Sequence, residues 1–311
     1  MIKDKSSKKK MGKKLKISLV IVGVLFLITG GYALSFYLKV KSTTDIMFME
    51  NFQNPESEYR VEKVDLKKAK PFSVLILGVD QRKNDRGRSD TMIVMTINPN
   101  TDSIKMLSIP RDTRVPIRGH NLDKINHSYA FGKEELAIET VQNFLDIPID
   151  KFVKVNMEGF KDIVGAIGGV EVNSNLAFSN EGHSYVKGLN ELNGVEALSF
   201  VRMRYDDPQG DFGRQQRQRQ LIEAVISKAK NPKILLSFVG TMDAIGNNVR
   251  TNFSYDEMKL FQKNYGQVTT KIDQISLQKS HGETINKVYY SIPNAAEISE
   301  IRTLLHEQLE I

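Results

Sequence analysis

The sequence predicts an α/β fold, a sandwich with a central mixed sheet, preceded by a single N-terminal transmembrane helix. Three observations predict it. Apolar runs of strand length alternate with helix-spaced segments from residue 71 onward. Asn98-Pro99-Asn100-Thr101 joins two of those runs with turn chemistry, so they form a hairpin. Residues 17–38 carry no charge and follow eight lysines and one aspartate in residues 1–16.

Each element follows in chain order. At about 1.5 Å per residue the uncharged stretch reaches about 33 Å, enough to cross a bilayer. The lysines before it put a basic tail, residues 1–16, in the cytoplasm and residues 39–311 outside. A cleaved signal peptide is the rival reading, but the run is long for one and no small-x-small site follows. Residues 39–70 are polar and irregular and read as an extracellular stalk, with a short helix near 43–52.

The globular domain opens at Pro71 and is expected over 71–245, with 246–311 a C-terminal segment packed on the same domain. The run 72–79 leads into Asp80 and reads as a strand buried on both faces. Strands follow at 91–97 and 103–109, then helices near 124–131 and 133–145 and a strand at 151–156. Residues 158–167 have apolar side chains at helical spacing and end at Gly168-Gly169, before a strand at 170–172. Helices are expected at 194–203, 212–230, 232–245, 254–265 and 294–309. Strands near 271–277 and 285–290 complete the set.

The net charge is +7, but the first 38 residues supply all of it. The basic balance therefore belongs to the anchor, where lysines meet anionic membrane lipid. The outer domain is neutral overall, which argues against a nucleic-acid partner. Absence of cysteine removes disulfides, thiol nucleophiles and cysteine metal sites. The five histidines lack ligand spacing.

Against that neutral background, residues 202–220 hold Arg202, Arg204, Arg214, Arg217 and Arg219. Guanidinium groups are permanently charged forks matched to phosphate oxygens. The apolar stripe Leu221, Ile222, Val225, Ile226 and Ala229 extends backward through Gln218, Arg217 and Arg214. The core-facing side of the helix thus turns polar at its N-terminus, where free N–H groups and the dipole attract anions. Asp211 reads as the N-cap. Arg219 lies off the stripe and reads as solvated. Arg202 and Arg204 share a target only if their helix ends there and the chain turns.

Asp80 ends one strand and Asp90 precedes the next, so one loop brings two carboxylates together. Oxygen donors of this kind suit Mg²⁺ or Mn²⁺; the alternative is two aspartates capping turns. Arg82, Arg86 and Arg88 share that loop. Arg111 follows a strand end behind Pro110, and Lys124, by spacing alone, is a solvated lysine at a helix start. No nucleophile elbow, Walker loop, zinc helix or dinucleotide fingerprint is present.

The stretches L-I-L-G-V-D (75–80), R-S-D-T (88–91), S-I-P-R-D-T (108–113), K-I-N-H-S-Y-A (124–130), V-R-M-R (201–204) and D-F-G-R-Q-Q-R-Q (211–218) form one pattern. With it the chain resembles the LytR-CpsA-Psr proteins of Gram-positive cell envelopes and, among them, the teichoic acid transferases of bacilli. The resemblance implies transfer of an anionic glycopolymer, a wall teichoic acid, from undecaprenyl pyrophosphate to peptidoglycan. The acceptor would be the C6 hydroxyl of N-acetylmuramic acid, and the fold would be an α-β-α sandwich whose hydrophobic tunnel holds the polyprenyl chain. It implies metal binding by Asp80 and Asp90, and pyrophosphate contacts from Arg111, Arg202, Arg204 and Arg214. Gln218, Arg82, Arg88, Arg217 and Lys124 would be further substrate contacts, and Asp90 is the candidate base. Two other functions fit the same residues: a polyprenyl-pyrophosphate phosphatase, and a non-catalytic envelope sensor that binds the lipid pyrophosphate.

Overall fold

The computed structural model describes residues 13–55, 57–60, 64–80, 87–229, 242–268 and 271–311. The chain divides into two units, residues 1–42 and 43–311. Helix α1 is continuous over Lys13–Met47, 35 residues. It contains the expected anchor at 17–38; the side chains of residues 17–25 and 28 lie outside the described residues. Among the described residues no helix is long and apolar enough to cross a membrane.

The second unit is built on β1 (Phe72–Asp80), β2 (Arg88–Asn98), β3 (Ser103–Ile109), β6 (Lys151–Asn156), β11 (Val249–Thr251) and β12 (Lys271–Ser276). They form one sheet in the order β11-β6-β1-β2-β3-β12. β1, β2 and β3 are an antiparallel meander, while β6 lies parallel to β1 and β12 parallel to β3. The sheet is therefore mixed. The C-terminal ends of β1, β3, β6 and β12 share one edge with the start of β2.

Strand alternation builds the layers. Leu75, Leu77, Met92, Val94, Leu107 and Ile109 face α2 (His127–Leu145) and α8 (Ala295–Leu309). Phe72, Val74, Ile93, Met95, Ile104 and Met106 face α5 (Asp211–Ala229) and α7 (Tyr255–Tyr265) through Ile222, Ile226 and Tyr265. A third cluster joins α3 (Met157–Ala166) and α4 (Gly194–Arg202) to α5. Helices cover both faces, which makes the α-β-α sandwich. Residues 246–311 supply both outer strands and two covering helices, α7 on one face and α8 on the other.

The segment expected to be a stalk packs on the domain from Phe48 onward. Phe48 bridges to Thr251, and Met49 and Phe52 join the core. Arg60 pairs with buried Asp150 at 2.8 Å. Burial pushes the Asp150 carboxyl up, and Arg60 and Ser73 pull against it.

The two helices expected near 124–145 are one, broken where Gly132 and Lys133 leave helical geometry. It starts later than expected because Leu122–Lys124 forms β5, paired with β4 (Arg114–Pro116). The late strand at 285–290 is a hairpin, β13 (His281–Ile285) and β14 (Val288–Ile292). Asn286 and Lys287 turn it with φ of 50° and 67°, a two-residue turn without glycine. The strand expected at 170–172 is β7 (Val170–Ser174), paired with β10 (Gly188–Leu192), and the short hairpin of β8 (Phe178–Asn180) and β9 (His183–Tyr185) lies between them in the chain; β8, β9 and β10 were not expected. Most of the helix expected at 232–245 lies outside the described residues, and α6 covers Met242–Asn248.

Candidate active site

A cavity of about 400 Å³ lies between the sheet, α3 and α5, beside the shared strand edge. Ile76, Val153 and Val155 form its sheet wall, and Phe160, Ile222 and Val225 its helical walls. Asp80, Asp90, Arg202, Arg214 and Gln218 line it too. On α5 the helical repeat explains the change of character. Gln218 and Arg214 stand one and two turns before Leu221, Ile222 and Val225 on the same face. The cavity is thus apolar inside and charged at the strand edge.

A bulge aims Asp90 into it. Gly78 stands opposite Thr91 and Val79 opposite Ser89, so Asp90 is the extra residue of β2. The sequence reading placed Asp90 ahead of the strand, but the strand begins at Arg88. Gly78 permits the close strand approach here, since a Cβ on it would stand 2.8 Å from Thr91 Cβ.

Two charge clusters flank this point. Arg111 Nη1 donates to Asp90 Oδ1 at 2.8 Å, and its Nε lies 3.7 Å from Asp112 Oδ2. Lys124 Nζ donates to the other Asp112 oxygen at 2.6 Å. Arg214 Nη2 lies 2.5 Å from Asp211 Oδ1, and Arg204 Nε 3.6 Å from the same oxygen. Asp211 sits in the first turn of α5, and its second oxygen accepts from Gln215 at 3.0 Å.

The two arginines are held differently. Burial works against the Arg111 charge, but the bond to Asp90 and the negative charges of Asp90, Asp112 and Asp211 together outweigh it, and the pKa is raised. Burial lowers the Arg214 pKa, and repulsion from Arg111 and Arg204 adds to this despite Asp211 and Asp90. Its buried Nε has no hydrogen-bond partner. Arg214 is a charged donor left short of negative charge, a condition that an incoming anion relieves.

The other expected site residues fall in different places. Arg202 ends α4, lines the cavity and lies 3.4 Å from Glu181. The chain turns at Met203, so Arg204 points to Asp211 instead. Arg88 is exposed at the start of β2, opposite Asp80, and Arg82 lies outside the described residues. Lys124 reaches the site only through Asp112.

Two expectations are corrected. Arg217 does not face the cavity. It donates to the Phe200 and Met203 carbonyls and pairs with Asp207 at 2.5 Å, both side chains 6 % exposed. It braces the turn between α4 and α5. Arg219 is not solvated: it is buried, donating to Ser108 Oγ and Gln274 Oε1 at 2.9 Å each. Asp112, Asp207 and Glu181 were missed as partners, although Asp112 directly follows Arg111 in sequence.

For a metal, the carboxylates that line the cavity are Asp80 and Asp90. Among the described residues no group of three or more His, Asp or Glu side chains converges. Two hard carboxylates fit Mg²⁺ or Mn²⁺ if phosphate oxygens and water complete the shell, a common arrangement for Mg²⁺.

Comparison with known proteins follows the same lines. The model of the LytR_cpsA_psr family matches residues 34–307. The chain is 46 % identical over 310 residues to the Bacillus subtilis (strain 168) polyisoprenyl-teichoic acid–peptidoglycan teichoic acid transferase TagU, covering 99 % of this chain and 100 % of that protein. It is similar to the crystal structure of B. subtilis TagU with a TM-score of 0.63 and 45 % identity, covering 78 % of this chain and 98 % of that one. A structure of TagT bound to LI-WTA aligns with a TM-score of 0.69 and 31 % identity, over 82 % of this chain and 97 % of that one.

Proposed function

The chain belongs to the LytR-CpsA-Psr family, and on that premise we propose that it is a glycopolymer–peptidoglycan phosphotransferase. It moves an anionic polymer, a wall teichoic acid, from undecaprenyl pyrophosphate to the C6 hydroxyl of N-acetylmuramic acid. One observation carries the reading: a single cavity is apolar within and lined at its strand edge by Asp80, Asp90, Arg202 and Arg214. A polyprenyl pyrophosphate has the same two parts in the same order.

The chain's residues divide the work. The apolar walls take the lipid, and Arg202, Arg214 and Arg111 hold the pyrophosphate. The acceptor hydroxyl attacks the phosphorus nearer the polymer. The bond to the lipid-side phosphate breaks, undecaprenyl phosphate leaves, and the polymer ends in a phosphodiester. Such a transfer needs positioning and charge stabilisation more than a covalent nucleophile. Arg214 meets the charge that develops on the leaving phosphate. Arg111 holds Asp90 Oδ1, and Oδ2 is assigned to accept the hydroxyl proton. Asp80, with Asp90 beside it, would hold Mg²⁺ or Mn²⁺, which neutralises phosphate charge when bound. The hydrophobic stretch 17–38 would anchor the chain in the cell membrane, with its lysines against anionic lipid and the domain outside.

The test is turnover by the full chain with lipid-linked teichoic acid, peptidoglycan glycan and Mg²⁺. Covalent polymer–glycan product is expected. Lipid phosphate with no joined product marks a phosphatase, and tight binding without turnover marks a sensor.

A further inference from the structure

The far side of α5 carries a second recess, of about 470 Å³. Gln209, Phe212, Gln216 and Arg219 line it together with Ser276 and Gln278. Positions 212, 216 and 219 recur at i, i+4 and i+7 and form one helix face. Positions 214, 218, 221 and 225 form the face that lines the apolar cavity. At about 100° per residue, positions 214 and 216 point about 160° apart. One helix therefore separates two recesses of opposite character.

The strand order relates them. The apolar cavity takes its sheet wall from β6 and β1, Asp90 belongs to β2, Arg111 follows β3, and Ser276 ends β12. Along the edge β6-β1-β2-β3-β12 the apolar cavity comes first, the charged groups next, and the polar recess last. With about 4.8 Å between strands and about 3.3 Å per residue along them, Ser276, in register with Ile93, lies about 13 Å from the bulge of β2. Displacement at phosphorus is in line, so attacking and leaving oxygens stand on opposite sides. A leaving group on the β6 side calls for an attacking group from the β12 side.

The lining chemistry fits a sugar. Gln209, Gln216 and Gln278 each offer a donor and an acceptor, as sugar hydroxyl and acetamido groups require. Phe212, 38 % exposed, offers a ring for the apolar face of a pyranose. Among the described residues no carboxylate lines the recess, and the one cation there, Arg219, is already engaged by Ser108 and Gln274. We propose that this recess is the acceptor subsite, holding an N-acetylated sugar of the glycan strand beside the phosphate under attack. It has this role only if the chain is the transferase proposed above.

The experiment varies peptidoglycan glycan oligomer at saturating lipid-linked donor, using the full chain in detergent with wild type, Phe212→Ala and Gln278→Ala. Both side chains are exposed, so folding is spared. Acceptor KM is expected to rise about tenfold in each variant with donor KM unchanged. Unchanged acceptor KM in both variants overturns the inference. So does a raised donor KM with acceptor KM unchanged, which would give the recess to the donor's sugars. If wild type makes no product, the transferase reading fails separately. Oligomer binding, followed by NMR without donor, then decides the recess: binding weakened in the variants supports a sugar site, and equal binding overturns it.

Discussion

Arg111 donates from Nη1 to Asp90 Oδ1 at 2.8 Å, tying the turn after β3 to the bulge of β2. Each residue was expected at the site separately, and their pairing gives each a further duty. In the proposed reaction Arg111 would orient the carboxylate that takes the acceptor proton, and Asp90 would hold the guanidinium beside the pyrophosphate. Asp112 and Lys124 extend the chain of charge behind them.

Arg111→Lys keeps the charge and loses the planar fork, so it should reduce kcat about 10²-fold. Arg111→Ala should reduce it further, and neither should change donor affinity by more than a small factor. Steady-state kinetics on the two variants checks this. Equal activity of Arg111→Lys and wild type would remove the orienting role.

Arg214→Ala should lower kcat about 10²–10³-fold, because it removes the donor best placed to meet new phosphate charge. The melting temperature should barely change, since Asp211 retains Gln215 and Arg204 nearby. Arg202→Ala should also cripple turnover. Near-normal rates in both would sink the site assignment.

Arg217→Ala should act on stability. Breaking its buried pair with Asp207 should cost about 3–5 kcal/mol, a fall in melting temperature on the order of 10 °C. Gly213→Ala should move in the same direction, because its Cβ would stand 1.9 Å from Asp207 Oδ2 and displace that carboxylate. Thermal melts of both variants measure the effect, and unaltered melting of Arg217→Ala would contradict it.

Glu257 gives a pH signature. Burial tends to raise its pKa, but bonds from Lys151 at 2.5 Å and the Ser254 amide at 2.9 Å outweigh this and hold it below the usual carboxylate range. A folded-state pKa below the unfolded one gives stability above the unfolded value, lost as pH falls through the folded one. Glu257→Gln should therefore cost about 1 kcal/mol at pH 7 after allowance for solvent screening. The gap to wild type should close as pH falls below about 4. Denaturant unfolding at both pH values checks the sign, and a gap that widens on acidification would reverse it.

The main strands were legible because they are buried on both faces and so are apolar without interruption. The short hairpins were not, since three-residue pairs such as Phe178–Asn180 with His183–Tyr185 carry no periodic signal. At the site, strand ends located Asp80 and Asp90, and helical phase located Arg214 and Gln218. Phase failed for Arg217 and Arg219 for one reason. It says which side of α5 a residue occupies but not what covers that side. The Asp207 turn covers one, and β12, whose Gln274 lies 55 residues from Arg219, covers the other.

The most direct test of the central claim is the phosphorus balance of a single reaction. The full chain, lipid-linked teichoic acid, glycan acceptor and Mg²⁺ are combined, and the products are followed by ³¹P NMR and mass spectrometry. The account predicts one undecaprenyl phosphate released for each new phosphodiester at muramic acid C6. Lipid phosphate released alongside a free polymer phosphomonoester, with no joined glycan, would contradict it.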